Sequence, residues 1–133
     1  GEKIEVFNYG KHRRDCTYID DIVEGVMCVL DKPARPNNLW SGDTPDSSSS
    51  KAPWRIYNIG NNSPVALLDY ISAIEEALNL KADKEFLPLQ PGDVPDTYAN
   101  VEDLIKEFKY KPTIPVKTGV TNFVDWYRDH YGI

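Results

Sequence analysis

Two hydropathy periods alternate along this chain, and the alternation limits its architecture more than any other feature. Residues 3–7 (Lys-Ile-Glu-Val-Phe) step polar and apolar, as a half-buried strand does. Ile22, Val26, Val29 and Leu30 then recur at i, i+4, i+7 and i+8, one face of a helix that Pro33 ends. Residues 54–59 alternate again up to Gly60, and Leu67, Ile71, Ile74 and Leu78 form the clearest helical stripe. A third short strand is expected over 85–89. Two more helices follow, one carrying Leu104, Ile105 and Phe108, one carrying Val116, Val120, Phe123, Val124, Tyr127 and Tyr131. Strand, helix, strand, helix, strand, helix, helix is the order of a layered α/β protein. The strands are few and short, so a small mixed sheet with about four helices is expected.

Local signals set the expected boundaries. Asn8-Tyr9-Gly10 breaks the first strand as a turn. Asp21 with Glu24 three residues on has capping-box spacing. Ser63-Pro64 reads as a hydroxyl cap with proline at the first helical position. Asn100 and Asp103 mark the start of the short third helix. Residues 33–53 hold four prolines and five serines, with Leu39 and Trp40 as the large apolar groups, and read as a long surface loop.

The length of 133 residues suffices for a core, since such a chain can bury about two-thirds of its unfolded surface. Fifteen basic against 21 acidic residues give a net charge of −6, which argues against a general nucleic-acid or anionic-membrane binder. The longest strictly apolar run is residues 26–30, too short to span a bilayer. Cys16, Cys28, His12 and His130 are too few and too scattered for a zinc site, so no metal is expected. A cytoplasmic setting is the expectation.

No glycine-rich phosphate loop can be built, because successive glycines lie 9 to 32 residues apart. No tyrosine has a lysine four residues later. His130 sits in a terminal helical turn, and His12 lies in the basic run Lys11-His12-Arg13-Arg14 with no nucleophile beside it. Two clusters remain. Arg14-Asp15 stands between a strand and a helix, where an arginine could fork onto a phosphate or carboxylate, or simply form a surface pair. Gln90-Pro91-Gly92-Asp93, followed by Tyr98, is a tight turn that fixes a short carboxylate. That carboxylate could accept from sugar hydroxyls or merely cap the turn. Asp20-Asp21 reads as helix capping.

At these same residues the chain resembles the extended short-chain dehydrogenase/reductases of the NAD-dependent epimerase/dehydratase family. The likeness is carried by Asn8-Tyr9-Gly10 with Arg14-Asp15-Cys16-Thr17-Tyr18-Ile19-Asp20-Asp21-Ile22. It continues through Tyr57-Asn58-Ile59-Gly60, Gln90-Pro91-Gly92-Asp93-Val94 and Asp125-Trp126-Tyr127, in that order. Its nearest likeness is to the UDP-glucuronate 4-epimerases. The resemblance implies that residues 1–133 are the C-terminal, substrate-binding part of an extended Rossmann-fold enzyme, α+β when taken alone. The NAD-binding half, with its glycine loop and catalytic Tyr-x-x-x-Lys pair, would precede it, so no catalytic or cofactor-binding residue is expected in this chain.

The resemblance further implies roles for single positions. Arg14 corresponds to an arginine on the UDP diphosphate, and Asp93 to the residue holding the ribose hydroxyls. Tyr98 falls near a substrate-side tyrosine, and Phe7 and Asn8 near backbone that lies along the uracil. Gln90 stands where galactose-type epimerases carry a second arginine, and Cys16 replaces a phenylalanine. The implied reaction interconverts UDP-glucuronate and UDP-galacturonate at C4 through a 4-keto intermediate, with NAD in the whole enzyme. The alternatives are a stand-alone nucleotide-sugar-binding or protein-interaction module, and part of a related dehydratase or decarboxylase. Uncovered strand edges in such a piece imply a homodimer or a strand-exchanged oligomer.

Overall fold

A computed structural model describes residues 2–133. Strand β1 (Lys3–Val6) leads into a 3₁₀ turn at Phe7–Gly10 and then a two-residue strand β2 (Arg13–Arg14). Helix α1 (Ile19–Leu30) follows, and after the long loop come β3 (Val65–Ala66) and α2 (Leu67–Leu78). Strand β4 (Asp83–Phe86), α3 (Glu102–Phe108) and α4 (Val116–Tyr131) complete the chain. β1 pairs in parallel with β4, and β2 pairs antiparallel with β3. The two small sheets together give the mixed α/β architecture that the alternating periods predict.

The helical stripes assemble as their spacing requires. On α2 and α4, Ala73, Val120 and Val124 are buried, with Tyr70, Ile74, Ala77, Leu78 and Val116 packed around them. Lys117 bridges to Glu76 at 2.5 Å, and Arg128 donates to the Leu78 carbonyl at 3.1 Å, tying the end of α2 to α4. Elsewhere Val6, Val101, Leu104 and Tyr110 are buried. Gly25 on α1 admits Ile59 and the Tyr110 ring, which a Cβ there would crowd at 3.2–3.3 Å. None of the described helices is long and apolar enough to cross a membrane.

Four local expectations are corrected. Residues 54–59 form no ladder. Their backbone bonds run back to the preceding loop, through the Trp54 amide to Ala52, the Ile56 amide to Ser48 and a single bridge between Arg55 and Ser49. Side chains hold the segment to α3 and its approach instead: Arg55 pairs with Asp103 at 3.0 Å, Asn58 donates to Asn100, and the Tyr57 ring packs edge-on against Phe108. Its alternation survives as alternating exposure, with Trp54 and Ile56 exposed.

Ser63 caps no helix. Its amide donates to Asp15 Oδ1, residues 65–66 are taken by β3, and α2 starts only at Leu67. Asp21 does not cap α1 either. It is buried at 2% exposure and accepts the amides of Thr113 (3.0 Å) and Ile114 (3.1 Å), which anchors the loop before α4. The strand expected over 85–89 lies at Asp83–Phe86, the stretch that β1 reaches. Asn100 does satisfy a first-turn amide, accepting from Glu102 at 3.0 Å.

The loop over 33–53 is tied by its own polar groups. Trp40 Nε1 donates to the Asp46 carbonyl, and the Asp46 carboxylate accepts from Ser48 and Ser49. Those hydroxyls hold the Asp46 carboxyl down at about 2. One face of α1 stays open: Ile19, Val23, Val26, Met27 and Leu30 are each about half exposed or more.

Candidate functional site

A strained turn delivers the site. Val6 ends β1, and the Tyr9 amide reaches the Leu87 carbonyl at 2.9 Å, extending the partnership with β4. Asn8 and Tyr9 then both take left-handed backbone, at φ 52° each. Non-glycine residues adopt that region at a cost of about 1–3 kcal/mol. After the turn β2 lies beside residues 95–97, with Arg13 bridging Asp96 in parallel. The Arg13 amide donates to the Pro95 carbonyl at 2.9 Å, and the Thr97 amide donates to the Arg13 carbonyl at 3.1 Å.

On that track Arg14 and Asp93 meet, although 79 residues separate them. Arg14 Nη2 donates to Asp93 Oδ1 at 3.2 Å, and Nη1 donates to the Pro95 and Arg13 carbonyls at 3.0 and 3.1 Å. The turn at Pro91-Gly92, closed by the Asp93 amide on the Gln90 carbonyl, sets the carboxylate in place. The Val94 amide also donates to Oδ1, at 2.8 Å. Both side chains are 30% exposed, so the pair is within reach of a ligand and partly screened by water.

Asp15 turns the other way. It accepts the amides of Asn62 (3.1 Å), Ser63 (3.0 Å) and Ala99 (2.9 Å), and its own amide donates to Thr97 Oγ1. Asp15 therefore staples three segments under the site and is not the partner of Arg14. Gly60 lies against this staple. A Cβ there would overlap the Ala99 methyl and come within 3.3 Å of Asp15 Oδ2.

The remaining sequence candidates are less engaged. Gln90 lies exposed at the mouth of the turn. Tyr98 is 63% exposed and takes no part in the hydrogen bonding around Arg14 and Asp93. Phe7 and Asn8 sit half-buried in the strained turn, next to the cluster through the backbone. Cys16 lines a pocket of about 220 Å³ with Tyr18, Tyr70, Ile114, Val120 and Phe123, and burial raises its thiol pKa. Among the described residues no cluster of His, Cys, Asp or Glu could hold a metal.

One member was passed over in the sequence. His12 is buried at 4% exposure, with Nε2 3.1 Å from Asp93 Oδ2. The approach is close, but its direction does not make a hydrogen bond, and Nε2 has no other partner. A Lys-His-Arg-Arg run reads as exposed, so no local signal marks this ring as buried.

The chemistry this arrangement offers is binding. A guanidinium fork beside a fixed carboxylate suits a ligand carrying both anionic and hydroxyl groups. No nucleophile or base pair comes together among the described residues of the cluster. Among the described residues no glycine-rich turn joins a strand to a helix.

Comparison with known proteins gives this site a setting. Residues 1–60 match the NAD dependent epimerase/dehydratase family. The chain is 52% identical over 130 residues to Protein CapI of Staphylococcus aureus, across 98% of this chain and 39% of that protein. It is 41% identical over 140 residues to UDP-glucuronate 4-epimerase 1 of Arabidopsis thaliana, across 99% and 30%. The structure of UDP-glucuronic acid 4-epimerase from Bacillus cereus, in complex with UDP-glucuronic acid and NAD, superposes with a TM-score of 0.73 at 26% identity. That superposition takes in 98% of this chain and 36% of the other. The chain thus spans about two fifths or less of the length of these relatives.

Proposed function

We propose that the chain is a C-terminal part of a longer protein of the NAD dependent epimerase/dehydratase family, whose model matches residues 1–60, and that it grips the nucleotide handle of a UDP-sugar. In the whole protein the reaction is the interconversion of UDP-glucuronate and UDP-galacturonate at C4 through a 4-keto intermediate. The observation that carries this reading is the convergence of Arg14 and Asp93 across 79 residues of chain.

The division of labour follows from charge. Arg14 trades its bond to Asp93 for the diphosphate, where two parallel N–H donors match two oxygens. Asp93, freed from the guanidinium, accepts from the ribose hydroxyls. Gln90 at the exposed mouth adds hydrogen bonding without charge, which favours a glucuronate-type substrate, itself already anionic. Tyr98, Phe7 and Asn8 lie on the base and sugar sides of the same handle. NAD would supply the hydride chemistry and is held outside this chain; the residues here bind and orient.

Calorimetric titration of UDP into the 133-residue chain tests the reading. Binding in the millimolar range is expected, because half the site's walls belong to the longer protein. Arg14→Ala should weaken it by about tenfold or more, the worth of a lost charge-assisted bond. Equal binding by wild type and Arg14→Ala would remove the role given to Arg14. Micromolar binding would instead favour a stand-alone nucleotide-sugar module. The chain by itself is expected not to convert UDP-glucuronate, and measurable conversion would overturn that.

A further inference from the structure

We propose that His12 is a positioning residue of the nucleotide site, holding Asp93 in the orientation that receives ligand hydroxyls; this rests on the reading of Asp93 just given. The two oxygens of Asp93 are treated differently. Oδ1 already accepts from Arg14 Nη2 and from the Val94 amide. Among the described residues Oδ2 is approached by His12 Nε2, at 3.1 Å.

The backbone that carries the ring is held on both sides. Its backbone carbonyl accepts the Leu67 amide at 2.8 Å, so the first residue of α2 fixes it from one side. The left-handed turn fixes it from the other, with Gly10 at φ 77° packed against Leu68. The side chain is 5% exposed, and a buried ring nitrogen without a partner is costly. Among the described residues, Asp93 is the acceptor set beside that nitrogen, at 3.1 Å. A small rotation of the carboxylate aligns it, and the imidazole then holds Oδ2 while the guanidinium holds Oδ1.

When a ligand draws Arg14 onto its phosphates, His12 becomes the group that keeps the carboxylate from turning. Simple packing would not need this residue. Methionine or leucine fills a similar volume without burying an unpartnered polar atom.

The test uses the full 133-residue chain with ¹⁵N-labelled histidine. Long-range ¹H–¹⁵N spectra near neutral pH are expected to show a His12 Nε2 resonance that moves in Asp93→Asn. UDP titration should give the same affinity for wild type and His12→Gln, whose amide can donate from the same place. His12→Met should bind about tenfold more weakly at an unchanged thermal midpoint. A His12 resonance indifferent to Asp93→Asn overturns the proposal. So does a His12→Met variant that binds UDP as the wild type does. If the resonance responds to Asp93→Asn but wild type shows no response to UDP, the nucleotide reading itself has failed, and the pair is structural only.

Discussion

Replacing Asp21 by alanine should loosen the start of α4 far more than loss of a helix cap would. Asp21 sits in the first turn of α1, where a capping role would be worth about 1 kcal/mol. Its carboxylate instead spans 92 residues to accept two backbone amides, Thr113 on Oδ1 and Ile114 on Oδ2. Hydrogen bonds to a charged group contribute about 1.5–3 kcal/mol each, giving a ceiling near 6 kcal/mol for the two. Thr113 is exposed, so water can replace part of the loss at that amide. The expected cost is therefore about 3 kcal/mol.

Urea denaturation measures this directly. With an m-value of about 1.5 kcal/mol/M, the midpoint should fall by about 2 M. Asp20→Ala is the control, because Asp20 is exposed in the same turn and loses only a helix-dipole contact of about 0.3–1 kcal/mol. Amide exchange supplies the spatial test: Thr113 and Ile114 should lose protection in Asp21→Ala, and the amides of α2 should not. If Asp21→Ala costs no more than Asp20→Ala and leaves those two amides protected, the anchoring argument is wrong.

Two further outcomes follow from other contacts. Gly60→Ala sets a methyl group against Ala99 and should destabilise the chain by about 1–3 kcal/mol in thermal melts. The double variant with Ala99→Gly should recover most of that loss; no recovery would mean the two positions do not touch. Glu75 lies 5% exposed and accepts from Lys81 at 2.9 Å, from Lys84 and from the Ala82 amide, which pulls its carboxyl down to about 2 from an ordinary 4.5. Its stabilisation is complete above about 4.5 and fades as pH falls toward 2. The thermal midpoint of Glu75→Gln should thus sit below wild type at neutral pH, with the gap narrowing across that acid range; a gap constant with pH would exclude Glu75 as the titrating group.

The four helices were legible in the sequence because periodicity is local. Leu67, Ile71, Ile74 and Leu78 announce an amphipathic helix wherever the chain places it, and α2 runs over that stripe. The same holds for Val116 through Tyr131 and α4. The candidate residues Arg14 and Asp93 were legible too, as an arginine after a strand and a carboxylate fixed by a Pro-Gly turn. What each does to the other was not.

Tertiary structure decided whatever depends on a distant partner. A strand exists only when another backbone lies beside it, so the alternating residues 54–59 keep their facing but form no ladder. Ser63 has the chemistry of a helix cap, yet Asp15 holds its amide from 48 residues away. Asp21 has capping spacing, yet its oxygens find better donors in the loop before α4. His12 looks solvated among its basic neighbours and is buried in the fold, its carbonyl bound to the Leu67 amide and its ring beside Asp93. Hydropathy period is a property of one segment, whereas hydrogen-bond partners and burial belong to pairs of segments. For that reason the sequence alone set the helices and the residue types of the site. Only the fold set the pairing of Arg14 with Asp93 and placed a buried imidazole beside them.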